Sequence, residues 1–244
     1  FRRVLFRSDV AVIGGDQGMT GAAVLAGTAA LHAGAGRVMV HLLASPDGVK
    51  VDPSLMLRPA QALQPTDATV VVAGCGGGEA IRAELPRLLS QAAHLVLDAD
   101  ALNAIAQDEA MLHLLRRRNV RGHETVLTPH PLEAARLLGC NTVEIQADRL
   151  ARAQALASHT QSHVVLKGAG TVIAHPKGLL HINPTGNARL STAGSGDVLA
   201  GMIGARMAQG QSAWEAACGA VYLHGQRAGQ GPQDSVLTAD MLAR

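Results

Sequence analysis

The amino-acid sequence predicts an α/β fold around a central, mostly parallel sheet, and three observations carry that prediction. From Asp9 onward, short β-branched runs alternate with longer Ala/Leu-rich stretches, the pattern of β-α-β units. Unusual loops follow one expected strand after another, reading GGDQG, GCGGG, DADALN, TPH and KGAG. Ligands bind beyond the carboxyl ends of strands in open α/β sheets, so these loops are expected to converge on one site. The 244 residues contain no linker that would divide two cores, so residues 9–244 are expected to form a single domain.

In chain order, the valine-rich run 10–13 is the first expected strand, ending at glycines, and the Ala-rich stretch 21–32 the first helix. Strands follow at 37–41 and 69–73, then a helix over 80–91 and a strand at 94–97. The strand at 125–127 leads to a helix over 131–138, with Pro131 suited to the first helical position. A single helix is expected over 143–158 and a strand at 164–167. Strands at 171–174 and 179–182 flank Pro176-Lys177-Gly178, which predicts a hairpin in place of a crossover and so a mixed sheet. Helices over 197–208 and 213–228 complete the reading.

Composition excludes several classes. The formal charge is +2, with basic residues dispersed except for Arg116-Arg117-Arg118, expected on a solvated helix end. Two Phe, one Trp and one Tyr leave little to stack nucleic-acid bases. No apolar run approaches the roughly 20 residues of a membrane span, so neither a nucleic-acid nor a membrane partner is expected. Cys75, Cys140 and Cys218 are far apart without C-x-x-C spacing, which argues against a disulfide framework or zinc site and for a reducing cytoplasm. Residues 1–8, FRRVLFRS, resemble a translated sequencing adapter more than protein and are set aside as non-native.

Ala193 to Met202, AGSGDVLAGM, is the most informative stretch. A helix starting there would turn the N–H groups of Gly194, Ser195 and Gly196 toward a phosphate. Asp197 beside such an anion raises negative charge, which makes sense if the carboxylate handles a proton or a metal. The alternative is a plain helix start with a capping-region aspartate. Lys167-Gly168-Ala169-Gly170-Thr171 offers an ammonium and free N–H groups to phosphate oxygens, or a lysine that merely snorkels. Gly14 to Ala22, and Gly74 to Gly78, are either loops for close approach to a ligand or tight turns; Cys75 reads as a small buried side chain. Asp98 and Asp100 lie at a strand end, where one can face the cleft. Asp100 with Asn103 reaches a substrate or a metal's water shell, or one of the aspartates caps a helix. His130, held between two prolines, is placed to hydrogen-bond a ligand, while Glu133 fits a favourable helix-dipole position. His224-Gly225 reads as helix packing.

Taken in order, GGDQGMTGAA, GCGGG, VLDADALN, VLTPHPLEAARLLG, VVLKGAGTVIA and TGNARLSTAGSGDVLAGMI resemble the ADP- or ATP-dependent NAD(P)H-hydrate dehydratase family, which has a ribokinase-like three-layer α/β/α fold. The resemblance covers Asp9 to the C-terminus. It implies repair of nicotinamide cofactors hydrated at ring carbon 6, with Mg²⁺ and with ADP or ATP as co-substrate. It places the nucleotide at Lys167–Thr171 and Gly196, to which the helix start adds Gly194 and Ser195. It places the hydrate near Ala22, Gly76, Gly78, His130 and Asp197, with Asp197 as the catalytic base. A homo-oligomer, often a tetramer, is implied too. Many members carry an N-terminal epimerase domain, absent from these residues and left open upstream of them. Three positions depart from the pattern: GCGGG lacks the usual proline and bulky residue, Asp16-Gln17 occupies a serine region, and Arg189-Leu190 replaces smaller residues.

Two rivals remain. One is a kinase of the same fold acting on a hydroxyalkyl heterocycle or vitamin precursor; the other is a nucleotide-sensing protein without turnover, disfavoured because Asp197 is retained next to Gly194 and Gly196.

Overall fold

The computed structural model describes residues 8–45, 48–66, 69–230 and 236–244. The expectation of a non-native leader lies outside the described residues except for Ser8, whose carbonyl accepts the Gly36 N–H at 2.9 Å. A nine-stranded sheet runs in the order β3-β2-β1-β4-β5-β6-β7-β8-β9. Its strands are β1 (Asp9–Gly14), β2 (Arg37–Leu42), β3 (Met56–Pro59), β4 (Thr69–Ala73), β5 (His94–Leu97), β6 (Glu124–Leu127), β7 (His163–Leu166), β8 (Val172–Ala174) and β9 (Leu180–Ile182). Strands β3 through β7 pair in parallel, and β7, β8 and β9 pair antiparallel. The mixed sheet and its hairpin are as the sequence predicts.

Successive strand residues enter opposite cores, because side chains alternate faces. Val10, Val12, Val70 and Val72 pack beneath α1 (Thr20–His32), α8 (Ser195–Ala208), α9 (Ala213–Ala228) and α10 (Ala239–Ala243). Ala11, Ile13, Val71 and Ala73 pack beneath α2 (Ile81–Gln91), α3 (Ala99–Ala106), α4 (Glu109–Val120), α5 (Pro131–Leu138), α6 (Thr142–Ala147) and α7 (Arg149–Thr160). Burial on both faces explains why the parallel strands read as continuous apolar runs. On the first face, α1 and α8 touch backbone to backbone: a Cβ on Gly201 would collide with the Ala26 carbonyl oxygen. That contact lays α8 across the middle of the sheet, and Gly204 sits on Val72 and Val10.

The structure differs from the sequence reading at several elements. The single helix expected over 143–158 is two, because Asp148 accepts the Ala151 N–H (3.0 Å) and starts a new helix. Helices α3 and α4 fill a region for which the sequence reading set no helix bounds, the latter opened by Asp108 accepting from Ala110 and Met111. Strand β3, with sequence MLRP, is exposed and carries no apolar alternation, so its pattern gave no signal. The arginine run does end α4, but Arg118 is fully buried. It donates to the carbonyls of Leu89 (3.0 Å) and Ala92 (2.7 Å) at the end of α2 and to Thr125 Oγ1 (2.7 Å). The cation thus satisfies carbonyls at a helix C-terminus, where positive charge is favoured, although burial pushes its pKa down to about 10. No helix among the described residues is long and apolar enough to cross a membrane.

Replacing Arg118 with Met leaves those carbonyls buried without donors, at about 1–3 kcal/mol for each group. Urea unfolding of Arg118→Met is expected to show a loss of at least about 3 kcal/mol, with Arg117→Met, on the exposed side of the same helix, near wild type.

Candidate active site

Parallel register brings the loops together. Ile13, Ala73, Leu97 and Leu127 are level across β1, β4, β5 and β6, so Gly14, Gly74, Asp98 and Thr128 emerge along one edge. Strand β7 runs slightly further, and Lys167 N–H donates to the Pro129 carbonyl (2.9 Å).

At that edge Asp98 is almost fully buried. Its Oδ1 accepts from Thr128 Oγ1 at 2.7 Å and from Lys167 Nζ at 2.8 Å. Burial would lower the Lys167 pKa, but Asp98 and Glu133 outweigh it and raise the value, so the ammonium remains charged. Beta strand β5 stops at Leu97 and Ala99 takes a left-handed conformation (φ 48°) as the chain turns into α3. Strained backbone of this kind persists where surrounding structure over-determines it. Asp98 therefore points at Lys167, and Asp100 lies in the first helical turn.

The start of α8 roofs this pair. Gly194 occupies the N-cap at φ 88°, a left-handed conformation that disfavours side-chain-bearing residues. Ser195 Oγ donates to the Leu190 carbonyl (2.8 Å), and the buried His224 on α9 donates from Nε2 to the Ser195 carbonyl (2.9 Å). Burial pushes the His224 pKa down to about 4, which keeps this anchor neutral. Gly196 lies directly over Lys167: a Cβ there would stand 3.0 Å from Nζ. One residue on, an Asp197 oxygen lies within 4.8 Å of both Cys75 Sγ and an Asp98 oxygen. Burial first, then Asp98, push the Asp197 pKa up to about 7, against the lowering effects of Cys75 and Lys167.

The expected nucleotide residues lie on one side. Gly168 to Thr171 form an exposed turn closed by Thr171 Oγ1 donating to the Gly168 carbonyl (2.9 Å). Beneath it Arg149, missed in the sequence, donates to the carbonyls of Leu166 (3.0 Å) and Lys167 (3.3 Å). Among the expected hydrate residues, Ala22 meets Gly76 and Asp100 meets Gly78, while Asp197 and His130 lie by Lys167. A Cβ on Gly76 would stand 2.9 Å from the Ala22 Cβ, and Gly78 N–H donates to Asp100 Oδ2 (2.9 Å). Asn103 is turned to Arg136, accepting at 2.6 Å.

His130 and Glu133 form a reciprocal cap on α5. His130 Nδ1 accepts the N–H groups of Leu132 (3.1 Å) and Glu133 (3.3 Å), while Glu133 Oε2 accepts the His130 N–H (2.8 Å). His130 Nε2 lies 3.1 Å from Glu133 Oε1, so both ring nitrogens already have partners. Glu133 does more than favour a helix dipole: it is buried, and burial raises its pKa to about 7 despite Lys167. Asp98, Thr128 and Cys75 also contribute to the site without having been selected as site residues. The DAD spacing was a visible signal, but sequence alone did not choose Asp98 over Asp100.

The two carboxylates Asp98 and Asp197 suit a hard cation such as Mg²⁺, which favours oxygen ligands and retains water. Cys75 does not: burial pushes its thiol pKa well above the usual value, so it supplies no thiolate.

A mostly parallel sheet covered by helices on both faces, with a lysine–aspartate pair under a glycine-started helix at its carboxyl edge, defines a ribokinase-like fold. A ribokinase-like superfamily protein from Enterococcus faecalis superposes with TM-score 0.81 at 25% identity, covering 100% of this chain and 87% of that one. The family model for NAD(P)H-hydrate dehydratase matches residues 10–243, and the chain belongs to that family. It is 41% identical to an ADP-dependent (S)-NAD(P)H-hydrate dehydratase of Neisseria meningitidis, covering 96% of this chain and 80% of the relative. Against the bifunctional NAD(P)H-hydrate repair enzyme of Escherichia coli it is 39% identical over 89% of this chain but spans 42% of the relative. An ADP/ATP-dependent NAD(P)H-hydrate dehydratase from Bacillus subtilis, co-crystallised with ATP and Mg²⁺, aligns with TM-score 0.80 and 27% identity, covering 99% and 89% of the two chains.

The buried charges make two stability predictions. Lys167→Met strands Asp98 and should cost about 3–5 kcal/mol in urea unfolding. Asp197 has a folded pKa raised above its unfolded value, so the stability its protonation contributes is present below about pH 4 and lost as pH rises through about 7. Asp197→Asn should therefore melt above wild type at pH 8, with the difference disappearing near pH 4.

Proposed function

We propose that this chain catalyses nucleotide-dependent dehydration of (6S)-NAD(P)H hydrate to NAD(P)H, with ADP or ATP as phosphoryl donor. The observation that carries the reading is Asp197, a half-buried carboxylate whose pKa is pushed up to about 7, in the first turn of a helix whose N-terminus covers Lys167.

Asp197 takes the proton of the ring-carbon-6 hydroxyl as its oxygen forms a bond to the terminal phosphorus of the nucleotide and the donor P–O bond breaks. A base with a pKa near the working pH suits that transfer. The N–H groups of Gly194 and Gly196, with Lys167, hold the transferring phosphoryl by positioning and charge; the Ser195 N–H, expected to join them, donates instead to the Thr192 carbonyl (3.2 Å). Departure of the phosphorylated hydroxyl then breaks the C6–O bond, driven by the ring-nitrogen lone pair. Loss of a proton from carbon 5 restores the conjugated dihydropyridine. Ala22, Gly76 and Gly78 form the wall the ring would meet: the glycines let the start of α1 pack against the second glycine loop, and the Asp100 bond to Gly78 fixes it. Mg²⁺ bound with the nucleotide, which the second oxygen of Asp98 would help hold, would offset phosphate charge and leave Asp197 free as the base. The same geometry would phosphorylate an unactivated hydroxyl, but the similarity to a hydroxyethylthiazole kinase from Pyrococcus horikoshii, at 18% identity and TM-score 0.63, concerns the fold alone.

Incubation with (6S)-NADH hydrate, Mg²⁺ and either ADP or ATP should restore dihydropyridine absorbance in a nucleotide-dependent way. Asp197→Asn should lower kcat by at least about 10²-fold. A stable phosphorylated product without recovered absorbance would identify a kinase.

A further inference from the structure

The reaction centre occupies the ends of β4, β5 and β7, yet a cavity of about 400 Å³ opens elsewhere along the same edge, at the ends of β2 and β3. Leu42, Leu57 and Pro59 form apolar walls, Ser45 and Gln61 add polar groups, and Arg58 supplies its one charge. Two of its lining residues are tied to the first glycine loop: Leu43 N–H donates to the Gly14 carbonyl (2.9 Å) and Ala44 N–H to the Gly15 carbonyl (3.1 Å). Register keeps Gly14, Leu42 and Pro59 level. The buried His41 holds the far wall, its Nδ1 lying 3.2 Å from the Pro59 carbonyl; burial lowers its pKa and keeps the ring neutral.

Arg58 is exposed, and among the described residues its guanidinium donates only to the carbonyl of Leu57 (3.1 Å). A guanidinium has five donors arranged to meet phosphate oxygens in pairs, so most of this fork is available to a ligand. The distances fit a dinucleotide. Three strand spacings separate β4 from β3, about 14 Å at roughly 4.8 Å each, comparable to the reach of an extended nicotinamide dinucleotide from its reacting ring to its adenosine. The cavity's volume is also within the range that encloses a small organic ligand.

We propose that this cavity receives the adenosine end of the hydrated dinucleotide and that Arg58 pairs with its 2′-phosphate, making Arg58 a specificity-determining residue for NADPH hydrate over NADH hydrate. The assignment rests on the dehydratase reading above and adds which of the two substrates the chain prefers. The apolar walls cover the base and ribose, and the guanidinium meets the phosphate that distinguishes the two cofactors. The pyrophosphate, nearer the nicotinamide, falls beside the first glycine loop instead.

The test compares wild type with Arg58→Ala and Arg58→Glu on both hydrates under saturating nucleotide and Mg²⁺, alongside thermal melts. The expected result is a KM for NADPH hydrate raised at least 10-fold by Arg58→Ala and further by Arg58→Glu. KM for NADH hydrate should change less than twofold, with kcat for both hydrates and the melting temperature unchanged. Product inhibition should follow, with NADPH losing potency and NADH keeping it. Equal effects on the two hydrates, or none, would overturn the proposal while leaving the dehydratase reading intact. Absence of dehydration by wild type would instead remove the reading on which the proposal rests.

Discussion

Lys167, half-buried, and the buried Asp98 form an ion pair on which the geometry of the whole site depends. It ties the end of β7 to the end of β5, recruits Thr128 from β6, and sits directly beneath Gly196 at the start of α8. Removing either partner would leave an uncompensated charge in a dry environment, which is costly. The pair also has a second effect. Asp98 keeps its negative charge close to Asp197, and that charge, added to burial, raises the proton affinity of Asp197 toward neutrality. Lys167 works against that rise, so the pair fixes the loops while burial, reinforced by Asp98, raises the proton affinity of the proposed base.

Other groups around the pair are held at a cost to stability. Glu133 is buried with its pKa raised to about 7, Ala99 is left-handed, and Asp197 would be easier to fold as a neutral side chain. Such features gather where a structure sacrifices stability for chemistry. The surrounding packing compensates: α1 and α8 meet backbone to backbone through Gly201, and His224 anchors the carbonyl of Ser195. These contacts hold the positive end of a helix over a cluster that would otherwise repel itself.

Much of this was legible in the sequence because parallel strands buried on both faces leave long valine runs, and glycine-rich loops at their ends are hard to mistake. Asp197, Lys167 and the hairpin after it were all readable in that way. The split at Asp148 was less so, since a capping aspartate inside a helical pattern looks like any polar surface residue. Strand β3 was hidden because an exposed edge strand has no face to bury. Arg118 was misread as solvated because its partners, the carbonyls of α2, are distant in sequence. Asp98 was missed for a related reason: the turn at Ala99, not strand alternation, decides which aspartate meets Lys167. His130 and Glu133 were visible individually, but their reciprocal cap depends on a buried carboxylate that local pattern did not reveal.

The most direct test of the electrostatic account is a titration of Asp197 itself in the folded chain with ¹³C-carboxyl-labelled aspartate, the signal being assigned by its loss in Asp197→Asn. A midpoint near pH 7 is the predicted result, as expected for a half-buried carboxylate beside Asp98. A midpoint near 4, the ordinary aspartate value, would mean that the cluster does not raise its proton affinity and would contradict the role given to Asp197.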